Sequence, residues 1–187
     1  MMLLILGLFF WTFAHVFKRL APARRAEVTQ EIGEGSKGLF AILIVGSIIL
    51  MIVGYRTAEG PVWWGRSGAL VGINNLLMLL AVYLFAASGS KTWITSKIKN
   101  PQLTAFKAWC VAHLLVNGDL VSFILFGGLL AWAVWQVILL KRAGVAPEAP
   151  KTEYPKDKEF KAVVATIIVF AVIAGVHAWL GYNPFGA

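Results

Sequence analysis

The chain has 187 residues, 59% hydrophobic and 14% charged, with eight more basic than acidic side chains. Together with a mean hydropathy of +0.75, this excludes a water-soluble domain and reads as an all-α, polytopic integral membrane bundle in a single domain. The +8 charge does not point to nucleic acid, because the basic residues lie between apolar runs, and the lone Cys110 excludes an internal disulfide or a CxxC metal site.

Six runs approach the roughly 20 apolar residues that cross a bilayer core. The first, about Leu3–Leu20, has no basic residue before it and ends on Lys18 and Arg19, with Arg24 and Arg25 beyond. That is the pattern of a retained helix with its N-terminus outside, not of a cleaved leader. The second covers about Leu39–Tyr55. The third covers about Ala69–Ser88 and opens on the small-residue spacing Gly68-x-x-x-Gly72. The fourth, about Pro101–Asn117, opens on an N-cap residue, Asn100, with proline at the first helical position, and Gly118 supplies its stop. Asp119 is placed to cap the fifth, about Asp119–Leu140, so Asn117-Gly118-Asp119 reads as a tight helix–helix turn. A polar connection over residues 143–161, with Pro147, Pro150 and Pro155, leads to the sixth span, about Ala162–Tyr182. Gly127-x-x-x-Ala131 and Ala171-x-x-x-Gly175 read as further sites of close helix contact.

Six crossings put alternate connections on opposite sides. The odd-numbered connections, with the start of the fourth span, hold 15 of the 17 Lys and Arg residues, and the other side holds only Arg56 and Arg66. Both termini are therefore expected outside, which in a bacterial inner membrane is the periplasm. Trp63, Trp64 and Trp179 fall near the outer interface and Trp93 and Trp135 near the inner one, as an aromatic belt would.

All three histidines, His15, His113 and His177, lie in spans and none in a loop. Intramembrane imidazoles either specify packing through interhelical hydrogen bonds or hold a metal centre; two of them can supply the axial ligands of a b-type haem. A rise of about 1.5 Å per residue puts His113 about 3 Å and His177 about 8 Å outside the midplane, and His15 about 7 Å inside it, a depth order that pairs His113 with His177. Asn117, one turn beyond His113 on the same face as Trp109, is placed to hold the second imidazole nitrogen. Asn74 and Asn75 either line a polar pocket with His113 and His177 or lock helix packing, and Cys110 either faces that pocket or is a small buried residue. Lys18 and Arg19, on the face of His15, either meet haem propionates or mark the cytoplasmic boundary. No Ser/His/Asp set, phosphate loop or carboxylate pair is visible.

The segments GLFFWTFAHVFKRLAP, GEGSKGLFAILIVGSIILMIVGY, NPQLTAFKAWCVAHLLVNGDLVSFILFGGLLAWAV and AGVHAWLGYNPF, in this order over nearly the whole chain, resemble the NnrU family of bacterial membrane proteins. The resemblance implies a role in denitrification, supporting nitrite and nitric oxide reduction, with a respiratory-chain redox partner. Plant and cyanobacterial zeta-carotene isomerase is similar to the same family, which implies haem b held by His15 and His113 and, as an alternative activity, cis–trans isomerisation of an apolar polyene. Asn100 departs from the histidine that commonly precedes the proline in this family, and so weighs against the isomerase. A non-enzymatic assembly factor with structural histidines is the third reading. The topology is testable: alkaline phosphatase fused after the last residue should be active, and fused within residues 89–100 inactive, whereas the reverse would invert the orientation.

Overall fold

Backbone amides at bilayer depth have no water to bond, so an apolar run there folds as a helix. All six runs do so in the computed structural model, which describes residues 1–89, 92–144 and 154–186. In chain order the elements are α1 (Met2–Leu20), α2 (Pro22–Ile32), α3 (Gly35–Thr57), β1 (Val62–Trp64), α4 (Gly68–Ser88), α5 (Trp93–Lys97), α6 (Pro101–Val116), β2 (Gly118–Asp119), α7 (Leu120–Arg142) and α8 (Lys156–Trp179). β1 and β2 pair as a short ribbon. The expected connection over residues 143–161 lies partly outside the described residues; its end, from Lys156, is already the first turn of α8. The sixth span stops at Trp179 rather than Tyr182: the Tyr182 amide turns back to the His177 carbonyl (2.8 Å), and Gly181 adopts a φ of 89° that a side chain would oppose.

Among the described residues five helices, α1, α3, α4, α7 and α8, are long and apolar enough to cross a membrane, and the chain is a multi-pass membrane protein of the all-α class. α6, the fourth expected span, has 16 residues, about 24 Å of rise against a core of about 30 Å. It nevertheless runs antiparallel along α4. Ala105 near its start packs against Ala81 and Leu84 in the second half of α4. At its other end the Leu115 carbonyl accepts the Trp64 indole N–H (3.1 Å), just before α4 begins. Proline at one end and the Gly118-Asp119 break at the other limit its length.

Contacts divide the chain into two packing units, Met1–Val62 with Asp119–Trp132, and Trp63–Gly118 with Ala133–Ala187. In the first, α1 and α3 pack backbone to backbone. A Cβ on Gly7 would sit 2.8 Å from both the Met51 nitrogen and the Ser47 oxygen, and one on Gly54 would sit 2.7 Å from the Leu4 Cα. Gly128 on α7 receives the Leu8 side chain of α1. In the second unit α4 is flanked by α6 and α8. The Glu159 carboxylate of α8 ties this group together, accepting the Tyr83 hydroxyl of α4 and the Trp93 amide at the start of α5.

The outward faces are apolar: Ile42, Val45, Ile49 and Ile52 on α3, Leu76 and Leu80 on α4, Ile167, Ile168 and Val172 on α8 are all exposed, as lipid-facing side chains are. Lipid provides no hydrophobic drive for helices to associate, so the close approach at Gly7 and Gly54 supplies the packing that holds α1 to α3. The spacings singled out in the sequence do not do this. Gly68, Gly72, Gly127 and Gly175 have nothing within 4 Å of where a Cβ would stand, because each points away from the neighbouring helices.

Gly54→Ala should cost about 1–3 kcal/mol of stability from overpacking against α1, read as a lowered Tm in detergent. Gly72→Ala should be neutral or slightly stabilising through helix propensity. Equal effects of the two would contradict the packing described.

Candidate functional site

A histidine in a span must place its ring N–H somewhere, and α-helical geometry offers the carbonyl one turn back. All three histidines use it. Nδ1 bonds the carbonyl of Trp11 in His15 (2.7 Å), of Trp109 in His113 (3.0 Å) and of Ile173 in His177 (2.8 Å). A carbonyl only accepts, so each Nδ1 carries the proton; in the neutral ring Nε2 is then the unprotonated nitrogen, with the lone pair a metal requires.

His15 belongs to the first unit and His113 and His177 to the second. His15 is half-buried in an aromatic clasp, with the Trp11 ring 4.2 Å from it and the Trp132 ring edge-on at 4.9 Å. The His113 ring lies 4.9 Å from that of Trp109, which in turn packs on Phe106 at 5.2 Å. His113 and His177 stand within electrostatic range of each other. Beside them is a groove of about 260 Å³ formed by α4, α6 and α8, bounded by Met78, Val82, Phe85, Trp109, Ile173 and His177. Its walls are almost wholly apolar and one imidazole faces it. Among the described residues no group of three or more His, Cys, Asp or Glu side chains is gathered to chelate a bare metal ion.

Asn117 acts differently from the expectation. Its side-chain amide donates to the backbone carbonyl of His113 (2.8 Å), while the Trp109 carbonyl holds the His113 ring. The His113 carbonyl also accepts the Asn117 backbone amide (3.0 Å), so Asn117 closes the end of α6 with both its main-chain and its side-chain N–H. Asn117-Gly118-Asp119 is the expected tight turn, but Gly118 has no left-handed conformation. Glycine is required there because the Trp64 indole lies directly on it, where any Cβ would collide. Asn100 is the N-cap residue of α6 through its backbone oxygen alone, which accepts the Thr104 amide (2.9 Å) without a side-chain cap.

Asp119 caps α7 as expected, accepting the Ser122 amide (2.8 Å) and the Ser122 hydroxyl (2.7 Å). Ser122 Oγ stands 2.9 Å from the Tyr55 hydroxyl. With its one proton committed to Asp119, Ser122 accepts from Tyr55, a directed chain across α3 and α7. Tyr55 and Asp119, with Glu59, also line an open cavity of about 470 Å³ in the first unit. Tyr55 and Ser122 lie far apart in the sequence, and their spacing carries no signal until α3 and α7 are side by side. Asn74 and Asn75 of α4 follow the packing alternative. Asn74 donates to Asn75 (2.9 Å) and Asn75 to the Pro184 carbonyl (3.2 Å), holding the segment after α8 in place. Cys110 is fully buried.

A family model described as "NnrU protein" matches residues 3–184. No curated protein and no solved structure matches the chain. The imidazole geometry has a direct readout in the ligand-free protein at neutral pH: ¹⁵N spectra of labelled histidine should show three rings protonated at Nδ1 and bare at Nε2. An Nε2-protonated His113 would break the scheme.

Proposed function

The chain belongs to the NnrU family, and from that premise we propose that it is a bacterial inner-membrane protein that binds haem b with His113 as an axial ligand and serves a redox step supporting nitrite and nitric oxide reduction. The observation that carries this reading is the uniform fixing of Nδ1 to an i−4 carbonyl, which turns each Nε2 into a ready donor. The donor set suits a porphyrin: its four nitrogens leave the iron needing only one or two protein ligands, and the imidazoles here come in ones and twos rather than as a chelating cluster. The groove beside His113, which His177 faces and His113 does not line, has the apolar walls against which a flat, largely apolar ring packs. Haem, when bound, supplies one-electron chemistry. The chain's own part is to orient His113 through the Trp109 carbonyl, to satisfy the end of α6 through Asn117, and to keep water from the groove with aromatic walls.

For the second ligand the family resemblance implies His15, while His177 shares a unit and electrostatic range with His113. The same groove supports a second reading, a haem-dependent isomerase that takes a long polyene from the bilayer. Purified protein separates these: a Soret band with paired α and β bands on reduction supports haem, added cis-zeta-carotene tests isomerisation, and a colourless preparation leaves an assembly factor with structural histidines.

His113→Ala should abolish or sharply reduce bound haem in protein that still inserts. Of His15→Ala and His177→Ala, the one that also removes the low-spin spectrum is the second ligand. Asn117→Ala, which removes a donor to the His113 backbone carbonyl and leaves the bond from the ring to Trp109 in place, should weaken haem retention less than His113→Ala does. Undiminished haem in His113→Ala would remove this residue as a ligand.

A further inference from the structure

The connection between α1 and α3 holds its charges in an order that opposes its own helix. α2 carries Arg24 and Arg25 near its start and Glu31 in its last turn, with no acid in the first turn and no base in the last. Each end therefore presents the charge that the helix macrodipole disfavours. Immediately before it, α1 ends on Lys18 and Arg19. Four cations meet within this short stretch, where a helix of 19 residues, about 28 Å long, runs out of bilayer core.

Neighbouring groups do not engage them all. Arg24 donates to Glu27 at 2.8 Å. Arg25 donates to Thr29 at 2.6 Å and lies 4.4 Å above the Phe40 ring, which stacks on Phe17 at 5.7 Å and pins α2 to α1 and α3. Lys37 pairs with Glu34 at 2.6 Å. Among the described residues Lys18 and Arg19 have no ion pair, and the Nε of Arg19 is shielded from solvent with no acceptor. A guanidinium without an ion pair at the end of a span is matched by a forked anion.

Below this junction Phe9, Phe13 and Phe17 form a ladder along α1, with successive ring centroids 6.3 and 5.0 Å apart. Phe9, Phe13 and Leu20 are exposed. An apolar track thus runs along the span up to the unmatched cations. That combination fits an amphiphile with an anionic head better than a free ion.

We propose that the α1–α2 junction binds the phosphate of an anionic phospholipid, with Arg19 as its principal donor, Lys18 and the α2 cations adding attraction, and an acyl chain along the Phe9–Phe13–Phe17 ladder. The side is the one to which the charge bias assigns the basic connections, where anionic headgroups attract juxtamembrane cations.

Full-length protein in mixed micelles with equal phosphatidylglycerol and phosphatidylcholine, read by native mass spectrometry, tests this. The protein should retain phosphatidylglycerol in preference to phosphatidylcholine. Arg19→Gln should lower that retention roughly fivefold, Arg19→Lys should lower it less, and Lys37→Gln, whose partner is Glu34, should leave it unchanged. Circular dichroism and elution volume identical to the parent establish that the variants fold. Equal retention of the two lipids, or retention unaffected by Arg19→Gln, overturns the site. Complete displacement of the lipid by millimolar inorganic phosphate would identify a free-phosphate site instead. Loss of haem in Arg19→Gln with lipid retention intact would move Arg19 to a porphyrin carboxylate, and either of these two results also overturns the proposal.

Discussion

The hydrogen bond from a side chain to the carbonyl one turn earlier governs how polar groups survive in this chain. A span has no water to offer, so a polar side chain must find its acceptor in the protein. Ser47 donates to the Ile44 carbonyl, Thr166 to that of Ala162, Thr57 to that of Val53, and the three histidines follow the same rule. For serine or threonine this ends the matter, because the hydroxyl has spent its single proton. Imidazole has a second nitrogen. Fixing Nδ1 locally leaves Nε2 with a lone pair, so the bond that makes a histidine tolerable at depth also prepares it as a ligand.

What places His113 is the polar turn that ends α6. Asn117 occupies the His113 carbonyl, the Trp64 indole occupies that of Leu115, and Trp64 itself rests on Gly118, where no side chain fits. The indole gives the Leu115 carbonyl a donor where an ordinary helix end would leave it to water, and the Asn117 side chain adds a second donor to the His113 carbonyl beside its own backbone amide. They also hold the last turn of a helix too short for a full crossing on its own. His113 sits in that turn, so the packing of α6 on α4 and the position of the imidazole are set by the same contacts.

The first unit shows how helices are held when burial gives no advantage over lipid. α1 and α3 approach until glycine meets backbone, and dispersion over that contact replaces the hydrophobic effect. α7 departs from regular geometry between Phe123 and Gly127, where a π-helical turn inserts one extra residue just past Ser122. Such turns adjust the direction of side chains that follow them. Here the turn follows the Tyr55–Ser122–Asp119 chain and precedes Trp132, whose ring meets His15 edge-on.

The class of the protein, its apolar runs, the Asp119 cap, the proline start of α6 and the set of intramembrane histidines were all legible in the sequence. Each rests on composition or on residues within about one turn of each other, where helix geometry alone decides who meets whom. The short α2 and α5, which a search for apolar runs passes over, were not. Nor was the choice among glycines: Gly7 and Gly54 touch a neighbour while Gly72 and Gly175 face open space, and no spacing rule separates them. The assignment of His113 and His177 to one unit and His15 to the other, and the joining of Tyr55 to Ser122, likewise required the helices to be assembled. Local bonds follow from the chain's own periodicity; contacts between helices depend on rotation and register, which only the packed structure sets.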